Sequence, residues 1–140
     1  MIECRTMAGP ERVDAFALME RFRADAAALG DALSLFVERP DYGFIWLAYA
    51  DGIPAACVSV AFGISTEAGG LGAELRDLFV AAEFRRRGIG SALLVTLQAR
   101  LNQLDVKLVE ALGGSDPALR AFFAARGYTL RAETRFSHRR

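Results

Sequence analysis

The sequence predicts a single α/β domain over residues 1–140 with a mixed, mostly antiparallel sheet. Three observations carry this. Apolar strand patterns flank the turn dipeptide Asp51-Gly52, a hairpin signal because both central positions of that turn take positive φ. A leucine stripe at helical spacing separates two later strand patterns, so those strands are joined by a crossover and lie parallel. At 140 residues the chain has the size of one domain.

In chain order, Ile2–Met7 reads as a short first strand and Gly9-Pro10-Glu11 opens a helix. Val13, Phe16, Ala17, Glu20 and Ala24 share one face of it, and Gly30 is expected to interrupt it. Ala32–Glu38 reads as a second helix that ends before Pro40. Phe44–Ala50 and Ile53–Ile64 are the hairpin strands, and Ala73–Val80 follows the glycine-rich loop Glu67–Gly72. A helix over Gly88–Asn102 carries Leu93, Leu94, Leu97, Leu101 and Leu104 along one stripe. Val106–Leu112 is the parallel strand, and Gly113-Gly114 turns the chain. Asp116 as N-cap and Pro117 at the first helical position start a helix that stops at Gly127. Tyr128–Phe136 reads as a last strand, which makes the order β-α-α-β-β-β-α-β-α-β, with helices on both faces of the sheet.

Composition narrows the function. With 17 basic and 17 acidic side chains the net charge is zero, which gives no support for a nucleic-acid partner. No apolar run approaches the ~20 residues of a membrane span, and the first residues do not read as a leader, so a cytoplasmic protein is expected. Cys4 and Cys57 match no metal spacing and His138 is the only histidine, so no metal site is expected. Trp46, Phe62, Phe122 and Tyr128 read as core aromatics, and Arg131, Arg135, Arg139 and Arg140 as a solvated basic tail.

The stretch with chemistry is Leu78-Phe79-Val80 followed, after a short loop, by Arg85-Arg86-Arg87-Gly88-Ile89-Gly90-Ser91. A strand runs into an arginine- and glycine-rich turn and then a helix. A helix start has unpaired N–H groups and positive partial charge, so it suits an anion. The glycines let a phosphate near the main chain, and the arginines attract polyphosphate. The spacing is neither a P-loop nor a dinucleotide fingerprint.

Arg85-x-x-Gly88-x-Gly90 after an apolar strand resembles the acyl-CoA signature of the GNAT superfamily of N-acyltransferases. The later run Phe122-Phe123-Ala124-Ala125-Arg126-Gly127-Tyr128 resembles that superfamily's penultimate helix, with an aromatic pair followed by Gly and an aromatic. The likeness is specific over 73–128 and loose before it.

The resemblance implies that acetyl-CoA, or another short acyl-CoA, is the co-substrate. It implies a splayed central pair of parallel strands. The backbone of Arg86–Ser91 would hold the pyrophosphate, with Arg85 opening the signature, and Leu78, Phe79 and Val80 would pair with the pantetheine arm. The chemistry implied is direct transfer of acetyl to a primary amine of a small molecule or peptide, through a tetrahedral intermediate that a strand N–H near Phe79 or Val80 would stabilise. A base must deprotonate the amine, whose ammonium has a pKa near ~10. Glu74 and Asp77 are the candidates; an odd separation places them on opposite faces unless a bulge intervenes. Phe123 stands beside the cofactor where many members carry a proton-donating Tyr, which keeps open a second reading: an acyl-CoA-binding module with little or no catalysis. Homodimers are common in the superfamily, and the acceptor is not named by any residue.

Overall fold

The computed structural model of the chain describes residues 1–112 and 116–140. Five strands form one sheet in the order β1 (Ile2–Thr6), β2 (Gly43–Ala50), β3 (Ile53–Ser65), β4 (Gly70–Val80), β5 (Leu108–Ala111). The first three pairings are antiparallel and β4–β5 is parallel. The helices are α1 (Arg12–Met19), α2 (Ala26–Glu38), α3 (Ile89–Gln103) and α4 (Pro117–Ala124).

All eight residues of β2 are buried, which requires cover on both faces. Trp46 donates Nε1–H to the Thr96 hydroxyl of α3 at 3.0 Å, while Tyr49, three positions on, donates its hydroxyl to Asp14 of α1 at 2.7 Å. An odd step along a strand reverses the face, so α1 and α3 lie on opposite sides of the sheet. The core joins β2 and β3 to Leu18, Met19, Leu29 and Leu33 from one side and Ile89, Leu93, Leu94, Leu97 and Leu101 from the other. Fully burying one such leucine stabilises by about 2 kcal/mol.

The hairpin signal holds: Asp51 and Gly52 have φ of 49° and 82° between β2 and β3. Asp116 accepts from the Ala118 N–H at 3.0 Å with Pro117 behind it, and Gly127 ends the last helical stretch at φ 87°. The expected turn at Gly113-Gly114 lies outside the described residues.

Three expectations are corrected. The first helical break is at residues 20–25, not at Gly30: Asp25 caps α2 by accepting from Ala28 N–H at 3.0 Å. Gly30 sits inside α2, where its carbonyl and the Ser34 hydroxyl accept from Arg12. The buried face of α1 is Ala15, Leu18 and Met19, whereas Val13 is 75% exposed. Finally, 128–136 forms no strand. Arg131 pairs with Glu67, Glu110 and Glu133, and Arg135 with Glu74, so charge pairing leads the segment across β5 toward β4. Leu130 and Phe136 stay 71% and 91% exposed, so no apolar burial rewards a sixth strand. The parallel pair β4–β5 consequently ends the sheet instead of lying at its centre.

Candidate functional site at the end of β4 and the mouth of α3

The site begins with a bulge. Cys57 stands opposite Phe79 and Ser59 opposite Arg76, so β4 carries one residue more than β3 between those pairs. Asp77 absorbs it in the left-handed region at φ 56°, a conformation that Asp tolerates better than most residues. Its carboxylate accepts from the Ser59 hydroxyl at 2.8 Å and pairs with Arg23 from the α1–α2 connection. Ser59 is the cross-strand partner of Arg76, which shares a face with Glu74. The bulge therefore turns Asp77 to the Glu74 side, the exception to the opposite-face expectation.

β5 pairs with β4 over Gly72–Leu75, with one further bond at each end: Lys107 N–H to the Leu71 carbonyl at 2.8 Å and Leu112 N–H to the Leu75 carbonyl at 3.1 Å. From Arg76 to Val80 the ladder continues, among the described residues, on the β3 side alone. Phe22 packs on Phe79 at 5.1 Å between ring centroids. Arg85 Nε donates to the Val80 carbonyl at 3.1 Å, so that acceptor is already engaged.

The chain then crosses Ala81, whose N–H bonds the Ala55 carbonyl, and a short 3-10 turn at 82–84 pinned by buried Phe84. Arg86 and Gly88 both take positive φ, 63° and 74°. Gly88 caps α3 without any side-chain bond, and the first backbone bond of the helix runs from Ala92 N–H to the Gly88 carbonyl at 3.0 Å. The N–H groups of Ile89, Gly90 and Ser91 precede it and have no helical acceptor. Ile89 is buried, so its side chain anchors the turn while its main chain faces the mouth. A Cβ at Gly88 would meet nothing within 4 Å; the left-handed φ is what calls for glycine there. At Gly90 a Cβ would sit 3.5 Å from Phe122 and Val80, ordinary contact.

Arg85, Arg86 and Arg87 are exposed and meet no carboxylate among the described residues, whereas Arg21, Arg23, Arg76, Arg131 and Arg135 each do. The sequence reading missed a fourth arginine: Arg126, beyond α4, donates to the Phe122 carbonyl at 2.7 Å and to the Ser91 hydroxyl. Nothing in the motif flags it, because it is brought in by the fold from 35 residues away. Phe123 is 8% exposed, stacked edge-on against Phe122 and Tyr128 at 5.7 and 5.0 Å. It lies in the core behind the mouth. Tyr128 is half-buried, and burial raises its phenol above the ordinary value.

The two candidate carboxylates line different cavities. Glu74 accepts from Arg76 at 2.9 Å and Arg135 at 3.1 Å and borders a cavity of about 360 Å³ with Phe62, Glu67, Glu110 and Arg131. Asp77 borders one of about 420 Å³ walled by Met19, Leu29, Leu33 and Phe36, with Arg23 and Arg139 at its edge. The contacts of Arg23 and Arg135 with these acids had no signal in sequence, as 54 and 61 residues separate the partners. Among the described residues, no group of three or more His, Cys, Asp or Glu is placed to hold a metal ion, and no helix is long and apolar enough to cross a membrane.

A search of curated proteins finds no match. Solved structures share the fold at low identity. Aminoglycoside N-acetyltransferase AAC(6')-Iy in complex with CoA superposes with a TM-score of 0.86 at 15% identity, over 100% of this chain and 95% of that one. An integron cassette protein from the mobile metagenome of Cole Harbour Salt Marsh gives 0.83 at 22% identity, over 97% and 89%. Glucosamine-6-phosphate N-acetyltransferase from Arabidopsis thaliana gives 0.76 at 14%, over 99% and 98%. A family model described as the acetyltransferase (GNAT) domain matches residues 41–130, from β2 through the Arg126 corner. The chain therefore belongs to the GNAT family of acetyltransferases.

Proposed function

We propose that this chain is an acyl-CoA-dependent N-acyltransferase that moves a short acyl group, acetyl in the first instance, to a primary amine. The observation that carries the proposal is the pairing of two features at one place: a helix mouth with unpaired N–H groups and arginines that form no ion pair among the described residues, and a strand end with one side of its ladder open among those residues. The first suits a diphosphate and the second an amide-bearing arm. Backbone groups of Arg86–Ser91 would hold the pyrophosphate, with Arg85 fixing the turn through Val80. Leu78 and Phe79 would guide the arm, Val80 contributing less because Arg85 holds its carbonyl.

Bound acyl-CoA supplies an activated thioester carbonyl; the protein must supply a neutral amine. Glu74 takes the role of base. Its side chain is 33% exposed, against 13% for Asp77, which Ser59 and Arg23 fix in the bulge. Glu74 must first exchange its arginine partners for the incoming ammonium, and that exchange orients the acceptor. Phe123 has no proton to give. A CoA thiolate can leave without an acid, since a thiol pKa is only ~8.5. The aminoglycoside and glucosamine-6-phosphate enzymes of the same fold make amine acceptors the first to try.

A second reading, a CoA-binding module with little catalysis, is favoured by buried Phe123 and by the Arg135–Glu74 pair. The two separate in one experiment. Free thiol released from acetyl-CoA is followed with a panel of aminoglycosides, amino sugars, polyamines and peptides. The acyltransferase reading expects amine-dependent release, reduced at least tenfold in Glu74→Gln with CoA affinity unchanged. Tight CoA binding with no release for any amine would establish the module instead.

A further inference from the structure

Arg126 lies outside the signature motif yet reaches the mouth of α3. The carbon of its guanidinium sits over the Phe122 ring, 3.7 Å from the centroid. One terminal nitrogen donates to the Phe122 carbonyl at 2.7 Å and the other to the Ser91 hydroxyl. Phe122 in turn packs beside Gly90. Gly90 and Ser91 belong to the first turn of α3, so stacking and two hydrogen bonds hold this cation against that turn.

Among the described residues its partners are neutral: a ring face, a carbonyl and a hydroxyl. A half-buried guanidinium without a carboxylate is costly, and of its five N–H donors two are used among the described residues, neither by a carboxylate. An anion at the α3 mouth would supply the missing charge and acceptors. Ser91 faces the same way, and its hydroxyl, already accepting from Arg126, can give its own proton to that anion.

We infer that Arg126 is a cofactor-positioning residue: together with Ser91 it binds a phosphate of acyl-CoA and fixes the cofactor along α3. The inference rests on the acyltransferase reading above and adds a residue that the signature does not contain. The phosphate is either part of the diphosphate or the 3′-phosphate of the adenosine, and the chemistry of recognition is the same for both.

The test uses the full chain and three ligands: CoA, 3′-dephospho-CoA and pantetheine. Arg126→Gln is expected to weaken CoA about tenfold or more, the scale of a lost charge-assisted bond, and Arg126→Lys to weaken it less. Ser91→Ala serves where Arg126→Gln does not fold, with a smaller loss of the same kind. Pantetheine has no phosphate to lose, so the loss in Arg126→Gln is expected with CoA and not with pantetheine. An equal loss on CoA and 3′-dephospho-CoA assigns the diphosphate, and a loss on CoA alone assigns the 3′-phosphate. Unchanged CoA affinity in Arg126→Gln, or an equal loss with pantetheine ligands, overturns the inference and leaves the acyltransferase reading standing. A wild-type chain without affinity for CoA removes both.

Discussion

Asp77 redirects a strand by itself. Its left-handed φ of 56° lets one residue of β4 bulge, and the turned carboxylate is then held by Ser59 and Arg23. Beneath it the Cys57 thiol, 3.6 Å from the Asp77 carbonyl, is pushed up to about 12, chiefly by burial and further by the Asp77 charge. Reactivity follows the thiolate. Alkylation of the folded chain at pH 8 is therefore expected to modify half-buried Cys4 and spare Cys57, giving one adduct by mass; two adducts before unfolding would contradict the bulge geometry. Tyr49 is a second buried titratable group. Burial first, then the bond to Asp14, raises its phenol above the ordinary value. A group with a raised folded pKa adds stability below its unfolded pKa, ~10 for tyrosine, and loses it as pH rises toward the folded value. Denaturation midpoints are expected to fall above pH ~10, with Tyr49→Phe flattening that fall. A variant that tracks the wild type through alkaline pH would show that Tyr49 is not the responsible group.

At the scale of elements, legibility in the sequence depended on whether a signal was local. Asp51-Gly52, Asp116-Pro117 and the leucine stripe of α3 each act within a few residues, and each appears where the pattern places it. The Arg85-x-x-Gly88-x-Gly90 turn was legible for the same reason: its backbone needs, positive φ at Gly88 and an open helix start, are written in adjacent residues. The α1–α2 boundary was misread because Gly30 weakens a helix only modestly, whereas Asp25 supplies an actual cap. Residues 128–136 had strand composition, but their charges pair with Glu67, Glu74 and Glu110 on other elements, which no local window contains. Gly43, at the start of β2, shows a constraint the sequence does not announce. A Cβ there would sit 2.0 Å from the Val60 carbonyl oxygen on β3. Gly43→Ala is expected to lower the denaturant midpoint by the equivalent of about 2 kcal/mol, the scale of overpacking, and an unchanged midpoint would refute that contact.

For the whole molecule, a net charge of zero conceals segregation. Arg23, Arg76 and Arg135 on the Glu74–Asp77 face pair with carboxylates, while Arg85, Arg86, Arg87 and Arg126, in and around the turn that leads into α3, form no ion pair among the described residues. The same helix is the main cover of one sheet face, so stability and the proposed anion site share one element. On the proposed reading the α3 mouth receives the cofactor's diphosphate. Calorimetric titration of CoA into wild type and Gly88→Asp tests it most directly. Open space at Gly88 accommodates the new side chain, with strain of about 1 kcal/mol from its φ of 74°. The carboxylate would then sit in the anion's place. The expected result is clear CoA binding by the wild type and at least a hundredfold loss in a folded Gly88→Asp; equal affinity in the two proteins would contradict the claim.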